Sequence, residues 1–256
     1  MDDILQCEHL SVAYDTSPVL LDLSFAIPAG KLVGIIGPNG AGKSSLLKAI
    51  VEIIKPLSGK VSCFGAPFKK KREKIAYVPQ KEGVDWDFPI TVLEVVLMGR
   101  YPKLGLFKWA RQADVEAALN ALQLLEIEDL ASRQISELSG GQQQRVFIAR
   151  ALVQDADLYL LDEPFSAVDA ATEAILIDVF KRLRDKGKTL LVVHHDLQTV
   201  ETLFDWVIML NTRLVVCGEV SSVFTQENLS KAYGRKGEIF VEMIRELERK
   251  KSGLSS

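Results

Sequence analysis

The chain has 256 residues, enough for one large domain with a buried core, and its 48% hydrophobic and 25% charged residues are ordinary globular proportions. That balance excludes a disordered or collagen-like chain, and a net charge of −3 implies no broad basic surface, so nucleic acid is not an expected partner. The longest apolar run, Trp206 to Leu210, is far short of the ~20 residues of a spanning helix; the acidic start Met1-Asp2-Asp3 leads into no apolar stretch, so neither a membrane span nor a secretory signal is expected. Cys7, Cys63 and Cys217 are scattered without a CxxC and are expected as reduced thiols, not a disulfide framework or a zinc site.

Taken in chain order, short branched apolar runs alternate with helical patterns. Val33 to Ile36 predicts a buried strand, and Ser44 to Val51 a helix. Between them Gly37-Pro38-Asn39-Gly40-Ala41-Gly42-Lys43-Ser44 fits G-x-x-x-x-G-K-S in the required strand–loop–helix setting. Its glycines let backbone N–H groups curl toward phosphate oxygens, and the helix dipole adds to the attraction. Lys43 can neutralise β- and γ-phosphates, and the Ser44 hydroxyl can hold a magnesium ion. Next, Gly83-Val84-Asp85-Trp86-Asp87-Phe88-Pro89 sets aromatics in a loop, as core plugs or as an apolar patch facing a partner.

From about 90 to 150 the strand rhythm stops and helical spacing takes over. Arg111 to Leu125 carries Val115, Ala118, Leu119, Leu122 and Leu125 on one face. Leu138-Ser139-Gly140-Gly141-Gln142 opens a further helix; such a turn is either a plain Ser N-cap or a second anion site. Leu158 to Leu161 predicts a strand ending in Asp162-Glu163-Pro164, where Asp162 suits magnesium and Glu163 suits a general base that polarises water. Leu190 to Val193 and Val207 to Leu210 predict further buried strands. His194 and His195 follow the first of these; neighbours on a strand point to opposite faces, so the pair is not expected to grip one metal, and His194 is read as structural. In Gly237 to Lys251, the spacing of Phe240, Met243, Ile244 and Leu247 predicts a terminal amphipathic helix.

The order of these motifs over about residues 3 to 234 resembles the nucleotide-binding subunit of ATP-binding cassette (ABC) transporters, with Leu138 to Gln142 similar to that family's signature. The resemblance implies an α/β fold: a P-loop NTPase core of RecA type, an antiparallel β N-terminal subdomain and an inserted α-helical subdomain. It divides the chain into a core at 1–89 and 151–234, an insert at 90–150 and a charged tail at 235–256. It implies an ATPase using Mg2+, with ATP held by Tyr14 (stacking on adenine), Gly37, Pro38, Asn39, Gly40, Ala41, Gly42, Lys43, Ser44 and Ser45. Glu163, His195 (the switch histidine) and Gln80 (the γ-phosphate sensor) would be catalytic, and Ser44, Gln80 and Asp162 would hold the metal. Ser139, Gly140, Gly141 and Gln142 would meet ATP on a second copy packed head to tail, with Asp169 joining the two sites.

The stretch Gln80 to Pro89, then Met98-Gly99-Arg100-Tyr101, His194 to Leu197 and Ala232-Tyr233-Gly234, resembles bacterial importers of manganese, zinc or chelated iron, manganese first. That implies separate integral-membrane permease subunits, met through the Gln80 to Pro89 region, and indirectly an extracytoplasmic metal-binding protein. The chain itself would lie peripherally on the cytoplasmic face of the inner membrane. Rival readings are a soluble ABC ATPase of DNA repair, chromosome organisation or translation, a nucleotide-gated module without catalysis, and a P-loop kinase. The single cassette, the intact Glu163 and His195, and the signature argue against them in turn.

Overall fold

In the computed structural model the described residues are 3–15, 17–80, 89–104, 110–166 and 168–234. Two long strands open the chain. β1 (Asp3–Tyr14) pairs antiparallel with β2 (Ser17–Pro28) on one side and β4 (Ser58–Cys63) on the other. Alternation buries Leu5 and Cys7, then resumes at Leu10 and Val12; on β2 it buries Ile27, Phe25 and Leu23, then Leu20. Each strand therefore carries an extra residue at its slip, and His9 and Asp22 stand there with φ of 50° and 55°.

The second sheet has six strands in the order β5-β6-β7-β3-β8-β9. β3 (Leu32–Ile36), β5 (Ile75–Val78), β6 (Leu158–Leu161), β7 (Thr189–Val193) and β8 (Trp206–Asn211) run parallel, and β9 (Arg213–Glu219) returns antiparallel. β3, β6 and β7 are buried along their whole length, which is why they read as unbroken apolar runs. Period two still sorts their side chains. Val33, Ile35, Leu158, Leu160, Leu191 and Val193 face the first sheet and α1 (Lys43–Ile50). Leu32, Ile36, Tyr159, Leu161, Leu190 and Val192 face the other core, built with the larger helices.

Those helices follow α2 (Phe68–Lys71) in chain order as α3 (Val92–Leu97), α4 (Tyr101–Leu104), α5 (Gln112–Leu124), α6 (Gly140–Val153) and α7 (Ala170–Asp185), then α8 (Val200–Leu203), α9 (Val220–Val223) and α10 (Gln226–Tyr233). Between β5 and β6 the described residues hold no strand, only an isolated bridge between Thr91 and Gln134. Arg100 fastens this helical region: its guanidinium donates to Asp114 Oδ1 at 2.8 Å and to the Val153 carbonyl at 3.0 Å, tying α5 to the end of α6.

The α/β class, the antiparallel N-terminal sheet and the helical insert are thus as the sequence implies. Each predicted strand lies inside an observed one, and Arg111 to Leu125 brackets α5. Residues 83–88 of the aromatic loop and the terminal helix expected at Gly237 to Lys251 lie outside the described residues. Among the described residues no helix is long and apolar enough to cross a membrane, and no cluster of His, Cys, Asp and Glu could hold a metal ion. The three cysteines are free, and burial pushes their thiols upward, Cys217 to about 11, which favours the protonated form.

Candidate active site

Parallel strands leave a crevice beyond their carboxyl ends where the connections diverge. Here β3 delivers the loop 37–42, β5 delivers Gln80, β6 delivers Asp162 and Glu163, and β7 delivers His194 and His195. Four chain segments far apart in sequence meet in one cleft of about 570 Å³, lined by Val19, Asn39 to Ser45, Gln80, Glu163 and His195.

The loop has its shape for steric reasons. A side chain on Gly37 would come within 2.1 Å of the Leu210 carbonyl oxygen on β8, so only glycine fits. Gly42 has φ of 92° and precedes α1 with no side-chain cap. The first-turn N–H groups of α1, at Lys43, Ser44 and Ser45, lack partners within the helix and open at its positive end. The loop is braced behind by Ala41 N–H on the Pro38 carbonyl (3.1 Å) and Thr212 N–H on the Ala41 carbonyl (3.2 Å). Lys43 is 7% exposed and donates to the carbonyls of Gly37 (2.8 Å) and Pro38 (3.0 Å). Burial draws its ammonium below the usual lysine range, while Glu163 and Asp162 oppose that shift.

Asp162 is wholly buried at the end of β6, its N–H on the Val78 carbonyl of β5. Ser44 Oγ donates to Asp162 Oδ1 at 2.8 Å, and Oδ2 has no hydrogen-bond partner. Burial raises this carboxyl above its ordinary value, the Ser44 hydrogen bond counters it, and Glu163 adds to the rise. A buried carboxylate oxygen without a partner is rare and marks a place for a cation. With the Ser44 hydroxyl bonded to the same carboxylate, and Gln80 held beside the adjacent Glu163, the residues present offer hard oxygen donors of the kind that fit Mg2+.

Glu163 has φ of 51°, a left-handed conformation that costs a non-glycine residue about 1 kcal/mol or more. Ser166 holds that turn, with both N–H (3.1 Å) and Oγ (2.9 Å) on the Glu163 carbonyl. Gln80 Nε2 donates to Glu163 Oε2 at 3.1 Å, joining two of the expected site residues directly. His195 is exposed to the cleft, whereas His194 is 3% exposed and packs between Phe165 and Phe204. The two imidazoles differ in burial but not in place: both follow the last residue of β7, so strand alternation does not separate them, and their rings lie 6.0 Å apart, centroid to centroid, at 32°.

Tyr14 ends β1, 44% exposed, and reaches the loop's helix through Ser45 Oγ at 3.5 Å. Ser139 to Gln142 and Asp169 are not among the residues lining this cleft. Ser139 caps α6 in a reciprocal box: its N–H donates to Gln142 Oε1 (2.9 Å) and its Oγ accepts from Gln142 N–H (3.4 Å). Asp169 caps α7, accepting Thr172 N–H at 2.7 Å; that hydrogen bond first, and the Arg145 charge further on, hold its carboxyl low. Val19 is a lining residue that sequence reasoning misses. It belongs to β2, and only the docking of one sheet on the other brings it over the loop.

Comparison with known proteins agrees with this geometry. The family profile described as ABC transporter matches residues 20–166. The manganese transport system ATP-binding protein of Bacillus subtilis (strain 168) is 54% identical over 230 residues, 90% of this chain and 92% of that protein. The zinc transport system ATP-binding protein of Treponema pallidum (strain Nichols) is also 54% identical over 230 residues, 90% of this chain and 86% of that protein. A solved structure of the ATP-binding subunit of an ABC transporter superposes with a TM-score of 0.76 at 27% identity, covering 94% of this chain and 99% of that one. The chain belongs to the ABC transporter family and carries its ATPase domain.

Proposed function

We propose that the chain is the ATPase subunit that powers import of a transition-metal ion, manganese in the first place, through separate permease subunits. Zinc or chelated iron is the alternative cargo. The catalytic half of the reading is carried by one observation: Ser44 hydrogen-bonded to a buried Asp162 whose second oxygen is free, with Glu163 and Gln80 bonded alongside. The cargo half draws on relatives named for manganese and zinc, since the ATPase site touches nucleotide and not the transported ion.

In the proposed cycle ATP lies with its phosphates on loop 37–44 and its base against Tyr14. Lys43 exchanges the carbonyls of Gly37 and Pro38 for β- and γ-phosphate oxygens. Ser44, Asp162 and Gln80 would hold Mg2+, which when bound would supply charge neutralisation on the phosphates and a template for their orientation. Glu163 accepts a proton from the water that attacks the γ-phosphorus in line, and His195 donates to a γ-phosphate oxygen as its charge grows. ADP and phosphate leave with the P–O bond broken.

A second copy, packed head to tail, brings Ser139, Gly140, Gly141 and Gln142 onto the same γ-phosphate, with Asp169 between the sites. Closure on ATP and opening after hydrolysis then move the permeases. The division into a core (1–89 and 151–234), an insert (90–150) and a tail (235–256) serves this scheme. An extracytoplasmic metal-binding protein takes part only indirectly, and the chain sits peripherally on the cytoplasmic face of the membrane.

Glu163→Gln should keep ATP binding, lower turnover by on the order of 100-fold or more, and trap a dimer. Ion accumulation in cells at limiting manganese, zinc or iron then tests the cargo. Selective loss of manganese uptake in that variant is the expected result. Unchanged uptake of all three, in a variant shown to lack ATPase activity, removes the metal assignment.

A further inference from the structure

The buried imidazole of His194 has no part in the cycle above, yet it touches both the turn that carries His195 and the segment that carries Glu163. Its Nε2 lies 2.7 Å from Thr199 Oγ1, and Thr199 Oγ1 lies 3.2 Å from the Asp196 carbonyl oxygen. That carbonyl can only accept, so the single hydroxyl proton goes to it, and Thr199 Oγ1 accepts from His194 Nε2–H. The ring is then the neutral tautomer with its proton on Nε2, and Nδ1 is buried without a partner. Burial, the largest cause, lowers this imidazole to about 4, consistent with that neutral state.

The chain of hydrogen bonds closes the turn 194–199 that holds His195 out into the cleft. The ring also meets Phe165 edge-on, centroids 5.7 Å apart at 86°, and Phe165 lies two residues after Glu163. On its other side it meets Phe204 at 5.2 Å. Phe204 in turn fills the space over Gly34 of β3, where an added side chain would come within 2.9 Å of its ring. The His194 N–H donates to the Ile35 carbonyl at 3.0 Å, next to the start of the phosphate loop.

We infer that His194 is a positioning residue for hydrolysis: through Thr199 it sets the turn carrying His195, and through Phe165 it sets the segment carrying Glu163. This rests on the roles proposed above for Glu163 and His195. The ring makes the distance between base and switch histidine a property of one packed wedge, not of two independent loops. Misplacement of reacting groups by about 1 Å can cost a hundredfold in rate, so small shifts of this wedge reach the chemistry.

The test compares Thr199→Val, Thr199→Ser, His194→Phe and the double variant His194→Phe/Thr199→Val in the full chain, with MgATP as substrate. Steady-state kinetics, the affinity for a non-hydrolysable ATP analogue and the melting temperature are read for each. Thr199→Val should lower kcat by roughly tenfold or more while KM and analogue affinity stay within about twofold. Thr199→Ser, which keeps the hydroxyl, should restore kcat. The double variant should be no slower than the slower single one, because both break the same link.

Wild-type kcat in Thr199→Val, or a loss that Thr199→Ser does not rescue, overturns the inference, as does a double variant whose losses multiply. A lower melting temperature with unchanged kcat reduces His194 to core packing and also overturns it. Glu163→Gln run in parallel separates the failures: if that variant hydrolyses ATP normally, the reading of the site itself is wrong.

Discussion

Two helix starts in this chain are built in opposite ways. Before α1 stands Gly42, left-handed and without a capping side chain, so the first-turn N–H groups face an open cleft. Before α6 stands Ser139, whose own N–H and Oγ are both engaged with Gln142. Both ends carry the same helix dipole. The first is preorganised for an anion and has a cation, Lys43, beside it. The second is satisfied in part by its own chain: Ser139 Oγ accepts from Gln142 N–H, while the first-turn amides of Gly140 and Gly141 and the Ser139 hydroxyl proton are not used by that box. The contrast is one of preorganisation: the first end lies open in the cleft with a cation at hand, and the second is held in shape by its own capping box.

Three substitutions break or sharpen that contrast, in falling order of effect. Lys43→Ala should weaken ATP binding by on the order of 100-fold, about 3 kcal/mol, because a charge-assisted contact to phosphate is lost. Its thermal stability should hardly change, since Lys43 bonds only to the loop's own carbonyls. Titration with a fluorescent ATP analogue beside a melting curve checks both halves. An affinity unchanged in this variant would mean that the open end is not the loading site.

Ser139→Ala should do the reverse. Removing the cap costs about 1 kcal/mol of helix stability while single-chain ATP affinity stays the same. Turnover that depends on a second copy should fall. A weakened affinity in dilute single chains would show that the two helix ends are not separate in function.

The smallest effect concerns Asp162, the charge beneath the open end. Its folded-state pKa is raised by burial, so the folded chain keeps that proton to higher pH than the unfolded chain does. Stability from this group is therefore full below the ordinary aspartate range and falls as pH rises through the raised value. Asp162→Asn should raise the melting temperature at pH 7 by about 2–4 °C. The gain should vanish as pH drops below the ordinary aspartate range, which calorimetry at several pH values tests.

The legible parts of this molecule are those written in consecutive residues. The phosphate loop needs its glycines within eight positions, Asp162 and Glu163 end an apolar run, and the Ser139 turn opens a helical pattern. The buried strands of the large sheet are legible for the same reason, because each is a continuous apolar segment. β1 and β2 are harder, because the slip at His9 and Asp22 breaks their alternation. Val19 in the cleft and Phe204 over Gly34 are not legible at all: each depends on contacts between segments distant in sequence. His194 is intermediate. Its place after a buried strand suggests a structural residue, but nothing local announces the nearby His195 ring or Thr199 as its partners.

The contact between Gly34 and Phe204 also bears on how the sequence can change. An alanine at 34 would need a smaller ring or an aliphatic side chain at 204, and that smaller side chain would loosen the wall around His194. Drift at either position alone is then a step downhill in fitness, while a paired exchange is neutral. Among relatives of this chain, positions 34 and 204 should vary together or not at all, although 169 residues separate them.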